Sequence, residues 1–85
     1  MKTNFRSKVF AVVAKIPPGR VRTYGEVARL AGKPGASRAV GAVLSKNWNL
    51  AIPCHRVIRS DGTLGGYNRG LKRKRVLLRQ EGYLK

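Results

Sequence analysis

Nineteen lysines and arginines against three carboxylates, a formal net charge of +16 on 85 residues, constrain this chain more than any other feature. Its core must come from the 42% of residues that are apolar, while the cations are carried on the surface. They are spread along the whole chain and are densest in the run Lys72-Arg73-Lys74-Arg75. Apolar residues interrupt them throughout, so they do not read as a disordered basic tail. An excess this large exceeds what solubility needs and points to a polyanionic partner, either nucleic acid or an anionic membrane surface. A single domain over residues 1–85 is expected. A chain so short buries only about 60–65% of the surface its unfolded form exposes, which favours a shallow site completed by a partner over a large enclosed cavity.

The membrane is the weaker of the two partners. No apolar run approaches the ~20 residues of a spanning helix. The N-terminal MKTNFRSKVF lacks the apolar stretch and small-residue cleavage site of a signal peptide. A soluble protein of the cytoplasm or nucleoid is expected, or of the nucleus in a eukaryote. The one cysteine forms no internal disulfide, which suits a reducing compartment. One cysteine and one histidine do not make a structural zinc site alone, so no metal is expected.

The spacing of Phe5, Val9, Val12, Val13 and Ile16 predicts a first helix over about 5–15, capped by Asn4 and stopped by Pro17-Pro18-Gly19. Residues 20–22 read as short and extended. Thr23-Tyr24-Gly25-Glu26 has the form of a capping box opening a second helix with Val27, Ala28, Leu30 and Ala31. Gly32-Lys33-Pro34-Gly35 breaks it, and a third helix, about 36–46, is rich in small residues. This outlines a helix-turn-helix over about 23–47, although an ordinary helical hairpin has the same outline. Leu50-Ala51-Ile52 reads as a buried extended segment and Val57-Ile58 as extended again. Ser60-Asp61-Gly62-Thr63 reads as a turn, and 64–70 as a glycine-rich loop around Tyr67. The last helix, about 71–81, is expected to bury Leu71, Leu77 and Leu78, with Gly82 ending it.

Several side chains could carry chemistry. A thiol is a useful nucleophile only as thiolate, and Cys54 has His55, Arg56 and Arg59 close in sequence to lower its pKa. The alternative is a buried core cysteine beside a surface histidine. On an extended strand the two would point apart, so they meet only in a tight turn or through a water. Asp61 is the carboxylate nearest His55 in sequence but lies in a turn. Glu81, near the end of a basic helix, is poorly placed for the helix dipole. It has either a specific partner, His55 or an arginine, or an intrahelical one, Arg75 or Lys74. Arg38 rises among small residues and reaches either into a groove or to a phosphate. Tyr24 is either a site hydroxyl or a half-buried core ring. Tyr67 either meets a ligand or packs its loop, and Trp48 is either a surface anchor or a core plug.

These residues converge on one family. Ile52-Pro53-Cys54-His55-Arg56-Val57 strongly resembles the active-site motif of the O6-alkylguanine-DNA alkyltransferases. Gly19-Arg20-Val21 followed by Thr23-Tyr24-Gly25-Glu26 resembles the approach to that family's helix-turn-helix. Ser37-Arg38-Ala39-Val40-Gly41-Ala42 resembles its recognition helix with the arginine finger. Ser60-Asp61-Gly62 and Gly66-Tyr67 resemble its hairpin and substrate loop. Gly70-Leu71, Lys74, Leu77, Leu78, Glu81 and Gly82 resemble its terminal helix. The likeness runs from about 5 to 82 and covers the family's C-terminal domain. The family's usual additional N-terminal domain has no counterpart in this sequence.

The resemblance implies a fold that is mainly α with a small β element, winged-helix-like. It implies double-stranded DNA containing alkylated guanine as partner, a monomer acting once, and no cofactor. By the resemblance Cys54 is the alkyl acceptor, His55 its base through a water, and Glu81 the group that orients His55. Tyr24 supplies a proton or hydrogen bond to the leaving guanine, and Arg38 fills the gap left by the flipped nucleotide. Asn47 bridges the recognition helix and the active-site turn. Tyr67 and Asn68 line the base pocket, with the Asn68 amide near guanine O6. The carbonyls of Cys54 and Val57 read the guanine amino group, Lys74 supports the site, and Thr23 and Ser37 belong to the DNA-facing surface. Two other functions share the sequence. One is a non-enzymatic lesion sensor like the alkyltransferase-like proteins, which typically replace the cysteine and recruit other repair proteins. The other is a DNA-coating protein with a vestigial pocket.

Overall fold

The computed structural model describes residues 4–49 and 51–84. Local signals set the first three helices. Asn4 Oδ1 accepts the Ser7 N–H at 2.8 Å and opens α1, Phe5–Ala14, which buries Val9 and Val13. After the turn at Pro17 and Pro18 the chain extends into β1, Arg22–Thr23. Thr23 Oγ1 then accepts the Glu26 N–H and Glu26 Oε1 accepts the Thr23 N–H, both at 3.0 Å. That reciprocal cap starts α2, Tyr24–Leu30, with Val27 and Ala28 buried. The glycine turn leads to α3, Ser37–Ser45, which buries Val40 and Leu44 and exposes Arg38, Ala39 and Ala42.

The apolar run before Pro53 is not a strand. Asn49 turns it, its side-chain oxygen accepting the Ala51 N–H at 3.0 Å and its carbonyl the Ile52 N–H at 3.1 Å. Ala51 is exposed and Ile52 only half-buried, while Leu50 lies outside the described residues. Residues Cys54–Arg56 form a single 3-10 turn that runs into β2, Val57–Ile58. β2 pairs in parallel with β1, Arg22 opposite Val57 and Thr23 opposite Ile58. This two-strand sheet brings the start of the helix-turn-helix beside the Cys54 turn.

The chain closes with α4, Leu71–Gln80. Gly82 N–H bonds to the Arg79 carbonyl at 3.1 Å and Tyr83 N–H to the Leu78 carbonyl at 3.0 Å, a Schellman ending. Glu81 therefore caps the helix instead of lying within it. Of the three leucines expected to be buried, Leu78 is, Leu77 is half-buried, and Leu71 is 42% exposed. Lys74 takes the inner position instead, fully buried. The core gathers Val9, Val13, Ile16, Val27, Ala28, Val40, Leu44 and Val57, with Cys54 in its outer wall. Among the described residues no helix is long and apolar enough to cross a membrane.

Candidate active site

The Pro53 carbonyl accepts the Arg56 N–H at 3.0 Å, and the Ile52 carbonyl the Cys54 N–H at 2.8 Å. This tight turn sends neighbouring side chains different ways. Cys54 lines a cavity of about 690 Å³, while His55 and Arg56 reach Glu81. The cavity walls come from Tyr24 and Gly25 of α2, Ser37, Arg38, Gly41, Leu44 and Ser45 of α3, and Gly66, Tyr67 and Asn68 of the loop. Arg59, Ser60 and Asp61 complete it.

Cys54 is buried, and its Sγ accepts a hydrogen bond from Asn47 Nδ2 at 2.8 Å. Asn47 is itself buried. Its Oδ1 accepts the Asn49 N–H at 3.1 Å, and its carbonyl accepts the Asn68 side-chain amide. One asparagine thus joins the end of α3, the thiol and the substrate loop. The Asn68 amide, donating to the Asn47 and Ser45 carbonyls, tethers the loop.

Burial pushes the Cys54 thiol up; the Asn47 hydrogen bond and the charges of Arg69 and Lys74 oppose this without cancelling it. Burial thus outweighs the charges that oppose it. Those charges are also not the sequence neighbours. His55 Nε2 is 2.9 Å from Glu81 Oε2. Arg56 forks onto the same carboxylate, Nε to Oε1 at 3.0 Å and Nη2 to Oε2 at 2.5 Å, while its Nη1 donates to the Ile16 carbonyl at 2.7 Å. Arg56, followed by His55, holds the Glu81 carboxyl below the usual carboxylate range despite partial burial. The Nε2–H tautomer of His55 donates to this carboxylate and has Nδ1 as its acceptor.

Tyr24 is half-buried at the cavity wall, its hydroxyl 3.5 Å from the Gly66 carbonyl. Burial pushes this phenol up, with Arg59 opposing and Cys54 adding to the rise. The loop passes so close that a Cβ on Gly65, at φ +70°, would lie 3.1 Å from the Tyr24 ring and 3.2 Å from its hydroxyl. Lys74 lies under the same loop. Its ammonium donates to the carbonyls of Val57, Leu64 and Gly66, and burial lowers its pKa to about 8. The Val57 carbonyl thus already serves Lys74 at 2.7 Å.

The other expected residues divide. Arg38 is exposed at the cavity edge and Ser37 is half-buried beside it. The Thr23 hydroxyl is engaged in the cap of α2. Asp61 Oδ1 accepts from Thr63 N–H and Oγ1 and closes its turn. Trp48 is on the surface, 63% exposed. Sequence reasoning offered Glu81 an arginine without naming Arg56, and missed the effect of the Arg69 charge on the thiol. For Arg56 the signal was the scarcity of carboxylates; for Arg69 there was none. Among the described residues no group of His, Cys, Asp and Glu is arranged to hold a metal.

Residues 4–83 match the family described as 6-O-methylguanine DNA methyltransferase, DNA binding domain. The chain belongs to the 6-O-methylguanine DNA methyltransferase family. The methylated-DNA–protein-cysteine methyltransferase of Salmonella typhimurium is 49% identical over 83 residues, 96% of this chain and 48% of that protein. The one from Methanothermobacter thermautotrophicus is 51% identical over 81 residues, 94% of this chain and 45% of that protein. The chain spans about half the length of these curated relatives. The crystal structure of Mycobacterium tuberculosis OGT in complex with DNA superposes with a TM-score of 0.88 at 45% identity, covering 95% of this chain and 50% of that one. An S. pombe structure in complex with damaged DNA containing O6-carboxymethylguanine gives 0.82 at 38% identity, covering 96% and 80%. Among the described residues four α-helices with a two-strand parallel sheet thus form this methyltransferase family's DNA-binding fold, mainly α with a small β element as expected.

Proposed function

We propose that this chain repairs double-stranded DNA by taking an alkyl group from guanine O6 onto Cys54, once per molecule. The observation that carries the reading is the Cys54 sulfur in the wall of a 690 Å³ cavity, bonded by Asn47 and one residue from the His55–Glu81 pair. In this reading residues 1–85 act as one DNA-binding unit, a monomer of the cytoplasm or nucleoid. α3 lies on the duplex and Arg38 enters the stack where the damaged nucleotide leaves it. Extrusion costs a few kcal/mol, offset by phosphate contacts. The base enters between Tyr67, Asn68 and the Cys54 turn, with the Cys54 and Val57 carbonyls facing its amino group.

Burial keeps the thiol protonated until a lesion arrives, and His55 then removes the proton through a water. Glu81 balances the imidazolium. The sulfur attacks the alkyl carbon, the S–C bond forms as the C–O6 bond breaks, and the electron pair leaves on guanine. Tyr24, kept protonated by burial, gives that guanine a proton and is replenished from His55. A thiol and an alkylguanine become a thioether and guanine, so the balance calls for no metal or cofactor.

The burial of Cys54 also supports a second reading, a lesion sensor that binds alkylguanine and recruits other repair proteins without transfer. One experiment separates them. Intact protein incubated with excess duplex containing O6-methylguanine is expected to gain one methyl mass, mapped to Cys54. A preference for the lesion with no mass gain would favour the sensor, and neither result would leave a plain DNA binder.

A further inference from the structure

The chain's single tryptophan takes no part in the core or in the chemistry above. Trp48 lies in the loop after α3, 63% exposed, and the Arg69 guanidinium sits over its ring, 5.0 Å from the centroid. The same guanidinium is 5.9 Å from the Tyr67 centroid and donates to the Tyr67 hydroxyl at 3.4 Å and to Asn68 Oδ1 at 3.5 Å. Residues 65–70 form no helix or strand, so their position depends on side-chain contacts such as these. A guanidinium over an indole face is a favoured cation–π pairing and a more adjustable one than a buried ion pair.

The charge of Arg69 also acts on the Cys54 thiol. From α4 Lys74 does so as well, from α2 Tyr24 faces it with a neutral phenol, and from the end of α3 Asn47 donates to it. His55 and Arg56 are held by Glu81. Lys74 is pinned by three carbonyls, whereas Arg69 is held by two aromatic faces and two long hydrogen bonds. We propose that Trp48 and Arg69 form a clasp that holds the 65–70 loop against the end of α3, making Arg69 a positioning residue whose fixed positive charge favours the thiolate of Cys54. As a role in repair, the clasp rests on the alkyl-transfer reading.

Trp48 reports on the clasp by its own fluorescence, and a small alkylating reagent reads the thiol without DNA. Arg69→Met is expected to shift the Trp48 emission and to move the pH midpoint of Cys54 alkylation by iodoacetamide upward. Alkylation at neutral pH should slow about three- to tenfold, because each pKa unit changes the thiolate fraction tenfold. Trp48→Ala should move the midpoint the same way by less, Arg69→Lys should restore much of the rate, and Trp48→Phe should stay near wild type. A purely structural role would leave the midpoint in place. An unchanged midpoint in both Arg69→Met and Trp48→Ala, with native circular dichroism, overturns the clasp. If the midpoint moves while wild type takes no methyl from lesion DNA, the clasp stands and the alkyl-transfer reading falls.

Discussion

Replacing Glu81 by glutamine keeps the side chain's shape and removes its charge. The carboxylate meets His55 Nε2 at 2.9 Å and two Arg56 nitrogens at 3.0 and 2.5 Å, with 11–17% of these side chains exposed. Removing one partner of a fully buried pair costs about 3–5 kcal/mol, and the remaining exposure brings this to about 2–4 kcal/mol. A domain of this size holds only about 4–13 kcal/mol in total, so the loss is a large share. The folded-state carboxyl is held below its ordinary value of 4.5. Its contribution is therefore full above about pH 4.5 and is lost as pH falls through the depressed folded value. Urea unfolding followed by Trp48 fluorescence, from pH 7 down to about pH 3, should show the wild-type advantage shrinking in acid while Glu81→Gln stays flatter. Methyl uptake should fall by about tenfold or more, because His55 loses the group that fixes its proton on Nε2. Arg56→Gln should lose comparable stability and less transfer. A gap under about 0.5 kcal/mol at neutral pH, or one that persists undiminished into acid, would refute this account of the triad.

Other perturbations follow from single contacts. Asn47→Ala removes the donor on Sγ, so the pH midpoint of Cys54 alkylation should rise, and stability should fall by about 1–3 kcal/mol as the Asn49 N–H loses its partner. Arg38→Ala, at an exposed position, should leave urea stability within about 0.5 kcal/mol while weakening both lesion binding and methyl uptake in the same duplex assay. Gly65→Ala places a Cβ 3.1 Å from the Tyr24 ring at a positive φ and should destabilise by about 1–3 kcal/mol, measured by urea unfolding, with transfer slowed through a displaced Tyr24.

What was legible in the sequence was what is local. Asn4, the Thr23–Glu26 box and the glycines after α2 act within a few residues, and the helices start and stop where those signals lie. What failed depends on distant backbone. The inner stripe of α4 reads as leucine, yet Lys74 occupies it because the carbonyls of Val57, Leu64 and Gly66 converge there and need donors. No local pattern reports the path of the 64–66 loop. The segment before Pro53 looked like a strand because its residues are apolar, but Asn49 side-chain bonds turned it. At the site, Cys54 and His55 were visible as neighbours. That their side chains leave one 3-10 turn in different directions, with Glu81 clamped by Arg56, needed the fold.

The scarce carboxylates link that site to the charge. Glu26 caps α2, Asp61 closes its turn on Thr63, and Glu81 holds His55 and Arg56, so each is committed inside the molecule. Among the described residues the one exposed pairing of a carboxylate with a basic side chain is Arg22 with Glu26, at 3.4 Å. Among the described residues no other surface cation lies within ion-pair distance of a carboxylate; on the DNA-repair reading duplex phosphates supply the counter-charge, with an affinity that falls steeply with salt. Arg56 and Lys74, drawn inward, are engaged fully by Glu81 and by backbone carbonyls. A carboxylate placed near either would compete for the donors that hold the Cys54 turn and its loop. On the DNA-repair reading, the near absence of acidic residues therefore serves both the attraction of DNA and the integrity of the thiol's surroundings.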